Sequence, residues 1–391
     1  MQNFFIKHNI DELISYEPKI FDKKIALSCR LFPFTKGGLE LLTVIEEISE
    51  EELLERLRKY ADCVLSDQRV KQNLKALEAL ANNNNNKKAA ISPDALKSYS
   101  GWGGLREAIF TPAIYRELKK HLNDDEINSI KKTLGSAYYT PPLIVKFMWT
   151  ALIRMGLKGG DILEPAIGIG AFLDHMPQKL KQLSNVEGIE IDQVTCNILI
   201  RKYPEINLIC SGFENVYFGS KKYDLIISNP PYGRNSVNDI FNLDLSHLII
   251  HHWFVAKSAR MLKDKGIIAM VLPNFFLDNV KDHARNFIYD AGVDLISAYR
   301  LPDDLFANAK VTVDIVFLQK AKTNVNWLKT KKITIGNDTK SINEYFLDRP
   351  ENIMGELEII RMYDRTGITC KSKGDLRDRL LNACLKINRL V

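Results

Sequence analysis

The sequence predicts an α/β fold, in which a doubly wound parallel sheet follows a helical amino-terminal region. Short apolar runs alternate with helix-like segments from residue 160 onward. A turn containing Gly168 and Gly170 follows the first run, and the fourth run ends at two prolines. Strands that alternate with helices form parallel sheets, and ligands bind outside the carboxyl ends of the strands.

Residues 1–90 predict a helical region. The stretch from Ser49 to Leu80 is rich in Glu, Leu, Lys and Arg at amphipathic spacing. The run Asn82–Asn86 is of low complexity and predicts a loop. In the segment 91–136 we expect helices beside a ligand site. The glycines and tryptophan of Ser100–Leu105 suit a lid over that site as well as a tight turn.

The first predicted strand ends at Glu164 and leads into the glycine turn, and a helix pattern from Ala171 to Leu183 follows. A lone Gly-x-Gly is as often a structural turn as a ligand loop. The next apolar run, however, ends in Glu190 and Asp192, about 20 residues further on, where an acceptor for a ribose diol is expected. We therefore expect a cofactor crevice between the first two strands, with Glu190 as the acceptor.

The third predicted strand is Asn207–Cys210, and the fourth, Tyr223–Ser228, leads into Asn229-Pro230-Pro231-Tyr232. Neither proline can donate to a sheet ladder, and each restricts the residue before it, so the strand stops in a rigid turn. The Asn229 side chain and the Pro230 carbonyl are two acceptors that can take both N–H bonds of an exocyclic amine. Tyr232 adds a flat face for stacking. The segment therefore indicates chemistry on the amino group of a base or an amide.

These two motifs, with Tyr138-Tyr139-Thr140-Pro141-Pro142 upstream, resemble motifs I, IV and X of S-adenosylmethionine-dependent adenine-N6 DNA methyltransferases of the gamma class. The resemblance covers roughly residues 95–320. Ser100–Leu105 and Asn343–Phe346 extend it to large adenine methylases of phages, plasmids and integrative elements, which often carry a helicase. It implies a seven-stranded Rossmann-like methyltransferase sheet and S-adenosylmethionine as cofactor. The implied reaction is methyl transfer to N6 of a flipped-out adenine in DNA, as in restriction-modification systems.

The resemblance also implies residue roles. Its catalytic positions fall on Asn229, Pro230, Pro231 and Tyr232, and a segment similar to motif VIII adds Phe306 on the other face of the base. Its cofactor positions fall on Tyr139, Thr140, Pro141, Glu164, Pro165, Ala166, Gly168, Gly170, Phe172, Glu190, Ile191, Phe213 and Asn229. Family members commonly have an Asp where this chain has Gly212, and we expect Glu214 or a backbone carbonyl to replace it.

The catalytic domain is expected over residues 137–322, followed by an extension over 323–391 with a short strand, Lys331–Ile335, and a terminal helix. An extension of this size is small for a separate target-recognition domain. Sequence specificity is therefore expected to be weak or supplied elsewhere. A target-recognition region or a helicase, on another chain or beyond the carboxyl terminus, is the further partner that the resemblance implies.

Composition agrees with a cytoplasmic DNA-binding enzyme without deciding for it. The net charge of +6 favours an anionic partner, although many enzymes are equally basic. The six cysteines include no Cys-x-x-Cys pair and indicate reduced thiols. No apolar stretch approaches a membrane span, so a soluble protein is expected. His247, His251 and His252 have helical spacing, but no Cys or acid cluster completes a metal site, and none is expected.

Two alternatives remain open. A protein glutamine-amide methyltransferase uses the same Asn-Pro-Pro-Tyr turn, because a planar amide resembles the base amine. The placement of Tyr139-Thr140-Pro141 and of Phe306 favours DNA. A non-catalytic DNA-binding or anti-restriction module could retain the fold. Gly212 and the short carboxyl-terminal extension keep that alternative open, whereas the intact Asn229–Tyr232 turn argues against it.

Overall fold

The structure is a computed structural model that describes residues 67–85, 96–103, 105, 112–135, 138–306, 311–362 and 365–390. The described residues fall into two compact units. One consists of residues between 67 and 127 apart from 101–103, and the other of 101–103 together with residues from 128 onward. The helix expected from Ser49 lies outside the described residues as far as residue 66.

Among the residues that the structure describes, three complete helices precede the sheet: α1 (Gln68–Asn85), α2 (Pro112–Lys119) and α3 (Asp124–Thr133). Helix α1 buries Val70 and Leu77, and its buried Asn73 accepts a hydrogen bond from the Ser100 amide at 2.9 Å. The helix continues through Asn85, so most of the loop expected at Asn82–Asn86 is helical. The reason is that Asn costs at most about 0.7 kcal/mol relative to Ala in a helix. Extending an existing helix also gains one backbone hydrogen bond per residue.

The expected seven-stranded sheet is confirmed, with strand order β3-β2-β1-β4-β5-β7-β6. All neighbouring strands are parallel except β7, which is antiparallel to β5 and β6. The strand order reverses between β1 and β4, and not at the expected crevice between β1 and β2, because β2 and β3 continue outward on one side of β1. The strands are β1 (Gly160–Glu164), β2 (Ser184–Glu190), β3 (Asn207–Cys210), β4 (Tyr223–Ser228), β5 (Leu262–Pro273), β6 (Asp294–Arg300) and β7 (Val313–Gln319).

Helices cover both faces of this sheet. Neighbouring residues of β4, Ile226 and Ile227, point to opposite faces and pack into two separate buried cores. A single helix was expected from Ala171 to Leu183, but the structure has two short ones, because Pro177 cannot continue the helical hydrogen bonds. The helices of this unit are α4 (Pro142–Met155), α5 (Ala171–Asp174), α6 (Gln178–Gln182), α7 (Gln193–Lys202), α8 (Ile250–Arg260), α9 (Phe275–Asp278) and α10 (His283–Asp290), with 3₁₀ turns at Phe213–Asn215 and Leu243–Leu245.

The carboxyl-terminal extension forms two antiparallel hairpins and two helices. They are β8 (Thr330–Ile335) with β9 (Asp338–Asn343), α11 (Glu344–Asp348), a 3₁₀ turn at Pro350–Asn352, β10 (Gly355–Met362) with β11 (Arg365–Ser372), and α12 (Leu376–Leu385). The sequence predicted β8 and the terminal helix and missed the other three strands.

Polar contacts tie the first hairpin to the carboxyl edge of the parallel strands. The Asn343 side chain donates to the carbonyl oxygens of Leu277, in α9, and Trp327. Since α9 follows the carboxyl end of β5, the hairpin β8–β9 is anchored at that edge. Within the described part of the chain, no helix is long and apolar enough to cross a bilayer.

Candidate active site

A cavity of about 250 Å³ lies where the strand order reverses. Glu164 reaches it from the end of β1, Glu190 from the end of β2, and Asn229 from the turn after β4. The glycine turn after β1 forms one wall. The sheet thus brings the glycine motif and the Asn-Pro-Pro-Tyr motif to one place, as open α/β sheets do with their ligand sites.

Most of the predicted cofactor residues line this cavity: Tyr139, Thr140, Glu164, Pro165, Ala166, Gly168, Phe172, Glu190, Ile191, Phe213 and Asn229. Pro141 and Gly170 do not. Pro141 is the residue before the first turn of α4. Gly170 has φ 81°, and a Cβ there would lie 2.6 Å from the Tyr203 ring, so the glycine is required by the turn itself.

Sequence reasoning missed several cavity residues. Lys132 and Thr133, at the end of α3, and Ile250 and Phe254, on α8, also line the cavity. They belong to no motif, because separate segments of the chain bring them together. Residues 101–103 lie against Tyr139, whose hydroxyl accepts from the amide of Gly103 at 3.3 Å. Within Ser100–Leu105, for which a lid over the site or a tight turn was expected, residues 101–103 therefore contact a residue of the cavity wall.

Three buried carboxyl groups line the cavity, those of Glu164, Glu190 and Asp192, and Asp192 caps the amino end of α7. Glu164 is 2% exposed and Glu190 is 8% exposed, and neither forms an ion pair with a described lysine or arginine. Glu190 accepts from the amides of Gly168 and Asp192, each at 2.8 Å. Burial raises the pKa of Glu190 to about 7. Burial, and then the charge of Glu190, raise the pKa of Glu164 well above its usual range. A ligand with positive charge and hydroxyl donors would stabilise the carboxylates of Glu164 and Glu190.

The end of β3 forms a second part of the wall. Phe213 is buried against Trp253 and Phe254, and its carbonyl accepts from Lys257 at 2.7 Å. Glu214 also lines the cavity. A Cβ at Gly212 would lie 2.1 Å from a carboxylate oxygen of Glu214. The Glu214 carboxylate therefore occupies the space that a side chain at residue 212 would take.

The amide of Asn229 is held at both ends. Its Nδ2 donates to the carbonyl oxygen of Tyr138 at 2.7 Å, and its Oδ1 accepts from the Tyr232 hydroxyl at 2.6 Å. The Tyr232 hydroxyl is also 3.1 Å from the carbonyl oxygen of Val271, on β5. Pro231 lines the cavity, whereas Pro230 and Tyr232 lie beside it.

The aromatic residues expected to enclose a base are neighbours in the structure. Phe306 is 5% exposed and packs into the core on the α4 side of the sheet. The Tyr138 ring lies 6.0 Å from the Tyr232 ring at an interplanar angle of 27°, and 6.4 Å from the Phe306 ring at 75°. Sequence reasoning gave no role to Tyr138.

The histidines have no metal partners in the described residues, which contain no group of three His, Cys, Asp or Glu side chains suited to a metal ion. Burial lowers the pKa of His251 to about 3 and that of His252 to about 4, so both are neutral. His251 packs edge-on against Tyr232 and Phe275. Of the cysteines, Cys196, Cys210, Cys370 and Cys384 are described, and all four are free thiols.

Several curated methylases are similar to this chain. The modification methylase CviBIII of Paramecium bursaria Chlorella virus NC1A is 26% identical over 151 residues, which are 37% of this chain and 39% of that protein. The type I restriction enzyme MjaIX methylase subunit of Methanocaldococcus jannaschii is 25% identical over 277 residues, 61% and 46% of the two chains. The type II methyltransferase M.HincII of Haemophilus influenzae is 30% identical over 177 residues, 42% and 33%. The chain spans between a third and a half of the length of these relatives.

A solved structure with similar extent is the type I restriction-modification system methyltransferase subunit from Streptococcus thermophilus. It has a TM-score of 0.42 and 16% identity, and the match covers 96% of this chain and 95% of that one. A family model described as N-6 DNA Methylase matches residues 125–372. Because this match covers well over half of its residues, the chain belongs to the N-6 DNA methylase family.

Proposed function

We propose that this chain transfers a methyl group from S-adenosylmethionine to the N6 amine of an adenine flipped out of DNA, as part of a restriction-modification system. The observation that carries the proposal is the position of Asn229 at the wall of the cavity, directly after the strand beside the glycine turn. Family membership and the methylase relatives support the same substrate class.

The residues of the cavity fit S-adenosylmethionine. The cofactor has a cationic methionine end and a ribose diol, and the buried carboxyl groups of Glu164 and Glu190 are acceptors without cationic partners among the described residues. Glu190 would accept from the ribose hydroxyls, and Glu164 and Thr140 would hold the methionine end. Phe213 would pack on the adenine ring, and Glu214 would accept from its amino group. When bound, the cofactor supplies a methyl group made electrophilic by the sulfonium.

The chain's own residues would act by positioning the target amine. The Asn229 side chain and the Pro230 carbonyl would accept its two N–H bonds, which favours a more tetrahedral nitrogen with its lone pair directed at the methyl. Holding the reacting atoms at near-attack distance supplies most of the rate. No general base is needed before attack. Tyr232 and Phe306 would hold the two faces of the flipped base, whose extrusion costs a few kcal/mol.

The proposal includes the gamma class of these methyltransferases, from the order of the motifs, and a relationship to methylase-helicase proteins. One relative is a methylase subunit of a type I restriction enzyme. By analogy, a target-recognition region, a partner subunit or a helicase would complete the activity of this chain. The chain spans less than half of that relative, so such a partner could lie on another chain or on the same one.

A methyl-transfer assay tests the proposal. The protein is incubated with methyl-labelled S-adenosylmethionine and with duplex DNA, single-stranded DNA or a protein extract, and digested DNA is analysed for N6-methyladenine. We expect label in DNA as N6-methyladenine. Label in protein alone would establish the glutamine-amide alternative, and DNA binding without label in any substrate would establish the non-catalytic one.

A further inference from the structure

Tyr138 contacts each of the three side chains to which the proposed function assigns the target base. Its carbonyl oxygen holds the Asn229 amide at 2.7 Å, and its ring lies next to the rings of Tyr232 and Phe306. The ring is nearly parallel to that of Tyr232 and nearly perpendicular to that of Phe306. An aromatic ring of the chain itself therefore packs against both of the aromatic side chains that would hold a flipped base.

The hydrogen bonds of Asn229 define which end of its amide is the acceptor. Because Nδ2 donates to the Tyr138 carbonyl, Oδ1 must be the atom that faces the Tyr232 hydroxyl. An amide oxygen has two lone pairs, so one remains for an incoming amine. The Tyr232 hydroxyl can also turn to the Val271 carbonyl, which is 3.1 Å away. The acceptor needed for the target amine is thus oriented before any base arrives.

We propose that Tyr138 is a positioning residue with two parts: its carbonyl orients Asn229, and its ring takes the place of the target base until a base displaces it. The inference rests on the proposed function. Rotation about the side-chain bonds moves the ring while the backbone carbonyl stays bonded to Asn229. The ring can therefore leave the base site while the carbonyl still orients the Asn229 amide.

Tyr138 also lines the cofactor cavity and directly precedes Tyr139 and Thr140, which line it as well. A cofactor in that cavity would contact the same residue whose ring occupies the base site. Cofactor binding and base entry are therefore coupled through Tyr138, and a bound cofactor that shifts the ring would open the base site.

Substitution of the ring tests this inference. The probe is a pair of fluorescent single-stranded oligothymidylates that carry, at one central position, either an adenine or an abasic site. The ratio of their two dissociation constants isolates binding of the base from binding of the backbone. In Tyr138→Ala, which keeps the carbonyl, we expect the preference for the adenine probe to increase by about 2- to 12-fold, the worth of one aromatic pair. We also expect this preference to depend less on added S-adenosylhomocysteine than in the wild-type protein.

Tyr138→Leu provides a second variant that fills part of the same volume, and Tyr217→Ala, at a tyrosine that is 73% exposed, is the matched control. If both Tyr138 variants retain cofactor binding but show an unchanged or reduced preference for adenine, the inference is overturned. The proposed function would still hold in that case, provided that the wild-type protein transfers a methyl group to DNA. If the wild-type protein transferred no methyl group to DNA, the proposed function would fail first, and the inference with it.

Discussion

The pH dependence of cofactor binding gives a quantitative test of the role of Glu190. Burial raises the pKa of its carboxyl group from 4.5 to about 7 in the folded protein. A raised pKa means that the folded state holds more protons than the unfolded state between these values. The stability of the folded protein therefore falls as the pH rises through that window. A ligand that donates hydrogen bonds to the carboxylate binds the deprotonated form, so its affinity rises as the pH rises through the same window.

The magnitude follows from the fraction of Glu190 that is ionised. With a pKa of about 7, roughly nine tenths of the groups are ionised at pH 8 and roughly one tenth at pH 6. If only the carboxylate accepts from the ribose diol, S-adenosylmethionine should bind about tenfold more weakly at pH 6 than at pH 8, which is about 1.4 kcal/mol. Binding at pH 7 should release about half a proton from this group.

Isothermal titration calorimetry at pH 6, 7 and 8, in buffers of different ionisation enthalpy, measures both quantities. The comparison variant is Glu190→Gln, which should bind more weakly and lose this tenfold dependence. The comparison cancels any titration of the ligand itself. An affinity that stays constant from pH 6 to pH 8 in the wild-type protein would refute the reasoning, as would the same pH dependence in Glu190→Gln.

Three further predictions concern other parts of the chain. Tyr232→Phe should lower the methyl-transfer rate only by about 2- to 12-fold, the worth of one neutral hydrogen bond, because the ring remains; a loss of several orders of magnitude would show that the hydroxyl does more than orient Asn229. Arg300 is fully buried and pairs with two carboxylates, so Arg300→Met should lower the free energy of unfolding by about 3–5 kcal/mol, measured by urea denaturation; a change below 1 kcal/mol would contradict this. Hairpin β8–β9 is anchored at α9, at the edge of the sheet that carries the cavity, and exposes Lys331 and Lys332 on opposite faces. If one face of the hairpin contacts DNA, replacing both lysines by Ser should reduce the slope of log affinity against log salt for duplex DNA by about one. The control Lys179→Ser, before the amino end of β2, should not change that slope. If the double variant also has the slope of the wild-type protein, the hairpin does not contact DNA.

The parts of the fold that the sequence could predict are those set by local rules. The strand Tyr223–Ser228 has the predicted bounds because two prolines must end it. The glycine turn was recognisable since Gly168 and Gly170 both have positive φ, which disfavours other residues. Strand β3 also has the predicted bounds.

The parts that could not be predicted depend on contacts between distant segments. The strands of the second hairpin, β10 and β11, carry mixed polar and apolar residues, and β11 also contacts a distant segment: Asn274 donates to the Ile368 carbonyl, 94 residues away. The contact between Asn229 and Tyr138 joins residues 91 positions apart. No spacing within either motif could indicate it. The break in the helix expected over Ala171–Leu183, in contrast, follows from a local rule, because Pro177 cannot continue the helical hydrogen bonds.

The most direct test of the account is the single-turnover rate of methyl transfer to adenine in DNA by wild-type protein and Asn229→Ala, with cofactor affinity measured on the same samples. An interaction made mainly in the transition state lowers the rate and leaves ground-state binding intact. We predict that Asn229→Ala forms N6-methyladenine about two to three orders of magnitude more slowly, in line with the loss of one preorganised polar group, while its dissociation constant for S-adenosylmethionine stays within about twofold. An Asn229→Ala protein that methylates DNA at the wild-type rate would contradict the central claim that this side chain holds the target amine.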